Sequence, residues 1–205
     1  MSSNDRTGQP EEHAGKKPAR RQGSTDLRVR RTRERLGAAL IALIEEKAID
    51  KVTVREVLDR ADVGRSTFYL HYQDTNDLLL SQMEHGLEMW SNILCDRQEK
   101  SRRLVPVAEF FAHVASARKL YRSLVASGRI QVYFDLAQGY FARGIARRLR
   151  QMDLSMPDQR ELDARSHAIA GNLLSLLKWW LDRGAREPAK DMDELFHRMV
   201  WKGLR

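Results

Sequence analysis

Cysteine is almost absent from the 205-residue sequence, which contains only Cys95. A single cysteine excludes an internal disulfide and a zinc site built from cysteines. No run of about 18 uncharged apolar residues occurs, so no membrane-spanning helix is expected. The first twenty residues also lack an apolar stretch of the kind found in signal peptides, and we therefore expect a cytoplasmic protein.

Basic residues are abundant, and they are concentrated near the N-terminus. The formal net charge is +8, and residues 16–35 alone contain nine basic and two acidic side chains. Clustered lysine and arginine favour a polyanionic partner, because neutralising phosphates releases counterions. Charge alone leaves a second interpretation open, which is a basic tail that only improves solubility.

Helical periodicity organises nearly all of the chain after a polar tail. Residues 1–25 are rich in glycine, serine, proline and charge, so we expect a flexible tail. Apolar residues then recur at helical spacing, and no segment alternates with period two for long enough to form a strand. The sequence predicts an all-α protein of about nine helices, over residues 26–47, a short helix from 53, 65–72, a long helix from 74, 105–116, 117–126, 129–152, 157–183 and a last helix from the Asp191 and Glu194 capping pair.

Residues 53–74 predict two short helices that are joined by a tight turn. Thr53 and Glu56 stand at the spacing of a capping box, and Asp62 and Gly64 are typical turn residues. Such a pair is a helix-turn-helix, whose second helix enters the major groove of DNA. That helix begins with an arginine and two hydroxyl residues, which suit guanine, other base edges and phosphates.

A catalytic interpretation of the same stretch fails on geometry. Ser66 and His71 are five residues apart, so they point about 140° away from each other on a helix. The stretch also lacks the second glycine and the preceding strand of a nucleophile elbow. Loosely spaced groups such as Glu84 and His85 are better explained as a solvated helix face than as a metal site. We therefore expect no enzyme activity, no cofactor and no metal.

The run TVREVLDRADVGRSTFYLHYQDTNDLL, residues 53–79, strongly resembles the DNA-binding domain of TetR-family transcriptional regulators. With the first helix included, the resemblance covers roughly residues 27–80. It implies a helix-turn-helix DNA-binding domain over residues 26–73 and a helical effector-binding and dimerisation domain over residues 74–205. It further implies a nucleoid-associated repressor that binds a palindromic operator in double-stranded DNA as a homodimer and is released by a small-molecule effector. The alternative is a DNA-binding protein of this type that acts by architecture or protein recruitment, without an effector.

Carried over by position, the resemblance implies a set of DNA contacts. The family often has lysine at the position of Thr75, so a phosphate contact is missing there, and the basic segment before it is a substitute. Tyr72 is left open between a core position and a phosphate contact. Base edges are assigned to Arg65, Ser66, Thr67 and Arg55, and phosphates to Thr53, Tyr69, His71, Arg28, Arg30 and Arg31.

The resemblance also implies two functions for the C-terminal helices. Most aromatic residues after residue 90 are expected to fill the core, but some should line an effector cavity, and small residues such as Ala164, Ala168 and Gly171 would let a second helix approach closely. The expected cavity residues are Trp90, Tyr121, Tyr133 and Trp179. The expected dimer interface contains Ala170, Leu173, Leu174, Leu195, Phe196 and Met199.

Overall fold

The computed structural model describes residues 20–96, 100–152 and 158–203. Within these ranges the chain forms nine α-helices and one 3₁₀ turn and contains no strand, which confirms the all-α prediction. The elements are α1 Arg20–Glu46, the 3₁₀ turn Ile49–Lys51, α2 Val54–Ala61, α3 Arg65–Tyr69, α4 Thr75–Asp96, α5 Val107–Ser116, α6 Arg118–Ala126, α7 Ile130–Gln151, α8 Gln159–Asp182 and α9 Ala189–Gly203.

Several helix boundaries differ from the prediction: α3 ends at Tyr69 and not at residue 72, and α5 begins at Val107 and not at residue 105. Helix α1 begins at Arg20, so the end of the expected flexible tail is helical. Helix α9 begins at Ala189, which places Asp191 inside its first turn. The Asp191 backbone N–H donates to the carbonyl of Pro188 at 3.0 Å. The predicted N-terminal cap formed by Asp191 and Glu194 is therefore wrong, while the predicted helix start near Pro157 lies outside the described residues.

Helices α1, α2 and α3 and the start of α4 enclose an N-terminal cluster of buried side chains. Its fully buried members include Leu36, Val57, Phe68 and Leu78. Burying a side chain of this size contributes about 1.5–3 kcal/mol. Tyr72 is 4% exposed with its ring 5.7 Å from that of Phe68, and it is therefore a core residue of this cluster.

Helices α5, α7, α8 and α9 enclose a second, C-terminal cluster, with Phe111 and Phe141 near its centre. The structure corrects part of the expected dimer interface, because four of its residues face this core instead of the surface. Their side chains already pack inside their own chain and are not accessible to a second one. These four residues are Ala170, Leu173, Leu174 and Phe196.

Helix α4 contributes to both clusters and packs closely on α7. Leu78 and Leu79 are buried in the N-terminal cluster, whereas Leu87 packs against the C-terminal one. Farther along α4, the backbone lies so near to α7 that a Cβ atom added at Gly144 would stand 2.1 Å from the Ser91 carbonyl oxygen. Glycine is therefore required at this crossing. Within the described ranges, each helix is either too short or too polar to span a bilayer.

The Gly144 crossing gives a stability prediction with a control on the same helix. We expect Gly144→Ala to lower the free energy of unfolding by about 1–3 kcal/mol, because α4 and α7 must move apart. A Cβ at Gly139 meets only the Arg143 guanidinium at 3.5 Å, so Gly139→Ala should raise stability by up to about 1 kcal/mol through helix propensity. Urea denaturation followed by circular dichroism measures both, and equal stability of the two variants would contradict the close approach.

Candidate DNA interface and ligand pocket

A reciprocal capping box starts α2, as predicted. The Thr53 backbone N–H and hydroxyl both donate to Glu56 Oε2, at 3.0 and 2.8 Å, and the Glu56 N–H donates to Thr53 Oγ1 at 3.3 Å. A hydrogen bond from Lys47, together with those from Thr53, lowers the pKa of Glu56 to about 2. Both donors of Thr53 are thus engaged, and a phosphate contact through either must replace a bond to Glu56.

The turn between α2 and α3 depends on a left-handed residue, as the sequence indicated. Asp62 has φ 49° and ψ 54°, a conformation that aspartate adopts more readily than most residues. Arg35 of α1 donates to the Asp62 carbonyl at 2.9 Å and to its carboxylate at 3.1 Å. Helix α1 therefore holds the turn that sets the direction of α3.

Helix α3, the recognition helix, is anchored on one side and exposed on the other. Phe68 is fully buried, whereas Arg65 and Ser66 are exposed and Tyr69 is 48% exposed. The Arg65 guanidinium lies 5.5 Å from the centre of the Tyr69 ring, and Thr67 is half-buried. The exposed side can thus present a guanidinium, a hydroxyl and a phenol together to a groove.

The other predicted DNA contacts precede or follow the recognition helix along the chain. His71 is half-buried with its ring 6.2 Å from that of Tyr72. Arg55 on α2 is 91% exposed and has only a long 3.8 Å ion pair with Asp59. Three further predicted contacts lie on α1 and are exposed: Arg28, Arg30, which pairs with Glu34 at 3.3 Å, and Arg31. Each of these arginines can reach a phosphate at little cost, because exposed ion pairs contribute little.

A pocket of about 190 Å³ lies between the two clusters. Three of the four predicted cavity residues line it, namely Trp90, Tyr121 and Tyr133. The structure does not bring Trp179 to this pocket, because its ring is 45% exposed and stacks 5.1 Å from the Arg183 guanidinium. Lining residues that were not predicted include Met83, Gly86, Leu120, Leu124 and Phe134.

The walls of the pocket come from both clusters. Leu124 and Tyr133 are buried members of the N-terminal cluster, whereas Phe110 and Leu177 belong to the C-terminal cluster. On α4 the spacing of Met83, Gly86, Leu87 and Trp90 places them along one helical face, a signal that the sequence already carries. Periodicity does not distinguish a pocket wall from a filled core, which is why these residues were missed.

The polar groups of the pocket are two phenols, an amide, an imidazole and the indole N–H of Trp90. The described lining contains no aspartate, glutamate, lysine or arginine. The Tyr121 hydroxyl bonds to Asp182 at 3.3 Å, and burial followed by that carboxylate raises the pKa of Tyr121 to about 12. Burial also raises the pKa of Tyr133, whose buried hydroxyl has no hydrogen-bond partner within the described residues.

Helix α6 connects the pocket to the end of α1. Its Leu124 lines the pocket, and the neighbouring Ser123 hydroxyl accepts from the Ile49 N–H at 3.2 Å. Arg129, just after α6, pairs with Asp50 at 2.7 Å. Helix α6 and the residues just after it therefore contact both the pocket and the segment that joins α1 and α2.

In the described ranges, no group of three or more histidine, cysteine, aspartate or glutamate side chains is arranged to hold a metal. His85 and His113 are exposed on different helices. The polar residues of the helix-turn-helix are spread over an exposed surface, which suits an extended ligand such as DNA.

Comparison with solved structures places this helical arrangement among known regulators. The operon activator DhaS, named for a dihydroxyacetone kinase operon, superposes with a TM-score of 0.63 and 13% identity over 84% of this chain and 96% of that chain. A TetR transcriptional regulator from Streptococcus agalactiae 2603V gives a TM-score of 0.53 and 24% identity over 87% and 98%. The fatty acid degradation regulator FadR from Bacillus halodurans gives 0.60 and 13% over 85% and 96%. At these identities the likeness concerns the fold alone.

Comparison of sequences adds the family. A curated relative, the uncharacterized HTH-type transcriptional regulator YxbF of Bacillus subtilis strain 168, is 23% identical over 172 residues, which are 80% of this chain and 42% of that protein. This chain thus spans less than half of that relative's length. Residues 36–81 match the family model for bacterial regulatory proteins of the tetR family. Residues 36–81, which contain the helix-turn-helix, therefore carry the domain that characterises bacterial regulatory proteins of the tetR family.

Proposed function

We propose that this regulator binds a palindromic operator as a homodimer, represses transcription there and is released when a small molecule occupies the ligand pocket. The observation that carries the proposal is the pocket itself, which has walls from the N-terminal cluster and from the C-terminal cluster. A ligand there contacts residues of α4, α6 and α7 that pack against the DNA-binding helices, although every residue of the lining lies within residues 82–177. The proposed division places DNA binding in residues 26–73 and ligand binding and dimerisation in residues 74–205.

Base recognition is assigned to the exposed start of the recognition helix. Arg65 has the bidentate donor geometry that guanine accepts, and the Thr67 methyl group can meet a thymine methyl. Ser66 and Arg55 read neighbouring positions. Tyr69, His71 and the α1 arginines hold phosphates, which fixes the register of the recognition helix without reading sequence.

The dimer surface is assigned to the exposed face of α8 and α9. On α8, Ala164, Ala168 and Trp179 lie on one exposed stripe, at spacings of four and eleven residues. On α9, Leu195 is half-buried and Met199 is 39% exposed. Small residues flanked by a large aromatic side chain let two helices approach while an apolar anchor is buried. A two-fold dimer then presents two recognition helices to successive major grooves, about 34 Å apart.

Release by a ligand follows from the fixed spacing of those grooves. The ligand shifts the equilibrium only as far as it binds the non-DNA-binding state more tightly. The contacts of Ser123 with Ile49 and of Arg129 with Asp50 support a path from α6 to the DNA-binding helices. Because one solved relative of this fold is named as an operon activator, a promoter–reporter assay is the direct measure of the sign of regulation.

Removing the predicted base contacts should weaken specific binding. We expect Arg65→Ala combined with Thr67→Ala to lower affinity for DNA that the wild-type protein selects from a random pool by at least about tenfold, since a bidentate contact alone contributes about 1–3 kcal/mol of discrimination. Gel-shift titration measures the change. Arg186→Ala, at an exposed arginine between α8 and α9, is the control. Unchanged selectivity in the double variant would mean that the recognition helix is wrongly assigned.

The arginines of α1 should govern the salt dependence of binding. Each phosphate contact contributes about 0.9 to the slope of log affinity against log salt. Replacing Arg28 and Arg31 by glutamine should therefore make the slope shallower by about 2 for selected and unselected DNA alike. Fluorescence anisotropy at several salt concentrations gives the slopes, with Arg186→Gln for comparison. A slope equal to that of the wild type would remove these two residues from the interface.

The proposed dimer surface can be disrupted without touching the core. We expect Ala168→Arg to convert a dimer of 23.7 kDa chains into a monomer, because two guanidinium groups would be buried without partners across the two-fold axis. Ala112→Arg places the same side chain at an exposed alanine of α5 and should leave the dimer intact. Sedimentation equilibrium decides the result. Dimerisation of both variants would exclude the α8–α9 surface.

A further inference from the structure

The walls of the ligand pocket restrict the charge of its occupant. Its described lining has no acidic or strongly basic side chain, and one wall is made of Trp90, Phe110 and Phe134. A buried carboxylate or ammonium group without an opposite charge carries a large desolvation cost. Molecules recognised mainly through a charged group are therefore disfavoured, and a neutral apolar molecule is favoured.

The size of the pocket restricts its occupant further. Drug-sized ligands occupy sites of roughly 300–1,000 Å³, whereas this pocket holds about 190 Å³. An engineered cavity of about 150 Å³ with similar apolar walls binds benzene. The pocket therefore matches a molecule of one aromatic ring with a small substituent.

The ring geometry of the pocket favours an aromatic occupant over an aliphatic one. The Trp90 and Phe110 rings lie 5.8 Å apart and are inclined by 59°, and Trp90 lies 5.3 Å from the His113 ring. Tilted and edge-to-face arrangements of this kind are favourable beyond the area they bury. An additional ring placed beside Trp90 would extend this arrangement.

Tyr133 is the most deeply buried of the polar residues in the lining, which also include Gln82, His113 and Tyr121. Tyr133 is 6% exposed, and its buried hydroxyl has no hydrogen-bond partner in the part of the chain that the structure describes. Leaving such a hydroxyl unsatisfied is unfavourable. Its raised pKa keeps it a neutral phenol, able to donate or to accept. The Tyr121 hydroxyl is instead engaged by Asp182.

We propose that the ligand pocket binds a neutral, single-ring aromatic molecule with one hydrogen-bonding substituent, of the phenol class, and that Tyr133 supplies the matching hydrogen bond. This inference rests on the ligand-response part of the proposed function and adds the chemical class of the ligand to it. The ring contacts the aromatic wall, and the substituent satisfies the Tyr133 hydroxyl.

Four probes of similar size test the class on the full chain without DNA. They are p-cresol, toluene, 4-methylbenzoate and 4-methylbenzylamine, and titration calorimetry measures their affinity. We expect p-cresol to bind about three- to tenfold more tightly than toluene, the ratio of one net hydrogen bond. The charged probes should bind at least about 100-fold more weakly than p-cresol. Binding of 4-methylbenzoate or 4-methylbenzylamine that equals that of p-cresol would overturn the proposal.

Two substitutions locate the site. Gly86 lines the pocket, and a Cβ added there meets no atom within 4 Å, so Gly86→Leu fills the pocket and should lower p-cresol affinity more than tenfold. Gly139→Leu makes the same change on α7 outside the pocket lining and should leave binding unchanged. Undiminished binding to a folded Gly86→Leu protein would place the site elsewhere and overturn the proposal.

The Tyr133 hydroxyl has a test of its own. Tyr133→Phe keeps the ring and removes the hydroxyl, so p-cresol affinity should fall to that of toluene while toluene affinity stays the same. A preference for p-cresol that survives this substitution would overturn the role of Tyr133.

DNA binding separates this inference from the function on which it rests. If p-cresol binds in the pocket but leaves affinity for DNA unchanged, the chemical class stands and ligand release fails. If a charged probe releases DNA and p-cresol neither binds nor releases it, the class fails and ligand release stands.

Discussion

Helix α4 packs against two hydrophobic clusters at once, and this shared packing constrains the positions of most other helices. Its first turns are buried with the DNA-binding helices, its middle lines the pocket, and its later turns cross α7 where Gly144 admits the Ser91 carbonyl. Since packed cores respond to strain by discrete rearrangement, a helix shared by two cores joins them mechanically. The pocket lies beside this shared helix.

Helix α6 completes the connection from the opposite side. It presents apolar residues to the pocket and hydrogen-bonds through Ser123 to the segment after α1. Movement of α4 and α6 relative to each other changes the volume between them, and a ligand that fills that volume favours one arrangement. In the proposed function, DNA favours the arrangement in which two recognition helices match its groove spacing. Under that proposal the two ligands compete through the same pair of helices without sharing a contact.

Local sequence signals were enough to predict the helix-turn-helix. The dimer interface and the pocket were harder to predict, because they depend on how the helices pack in three dimensions. The Thr53–Glu56 capping box and the left-handed Asp62 are encoded within a few residues, and both occur as expected. The start of α1 at Arg20 was missed because glycine and serine within that segment are poor helix formers. The interface set around Leu173 was misplaced because an apolar stripe does not reveal whether its partner is the same chain or another. The pocket depends on empty space beside Gly86, which no pattern of side chains records.

The bond between Arg35 and the carbonyl of Asp62 has a consequence for how the protein meets DNA. It ties the basic helix, which is attracted to any phosphate backbone, to the turn from which the recognition helix emerges. A duplex that met α1 through its phosphates would therefore meet α3 at an orientation set by a turn that α1 itself contacts.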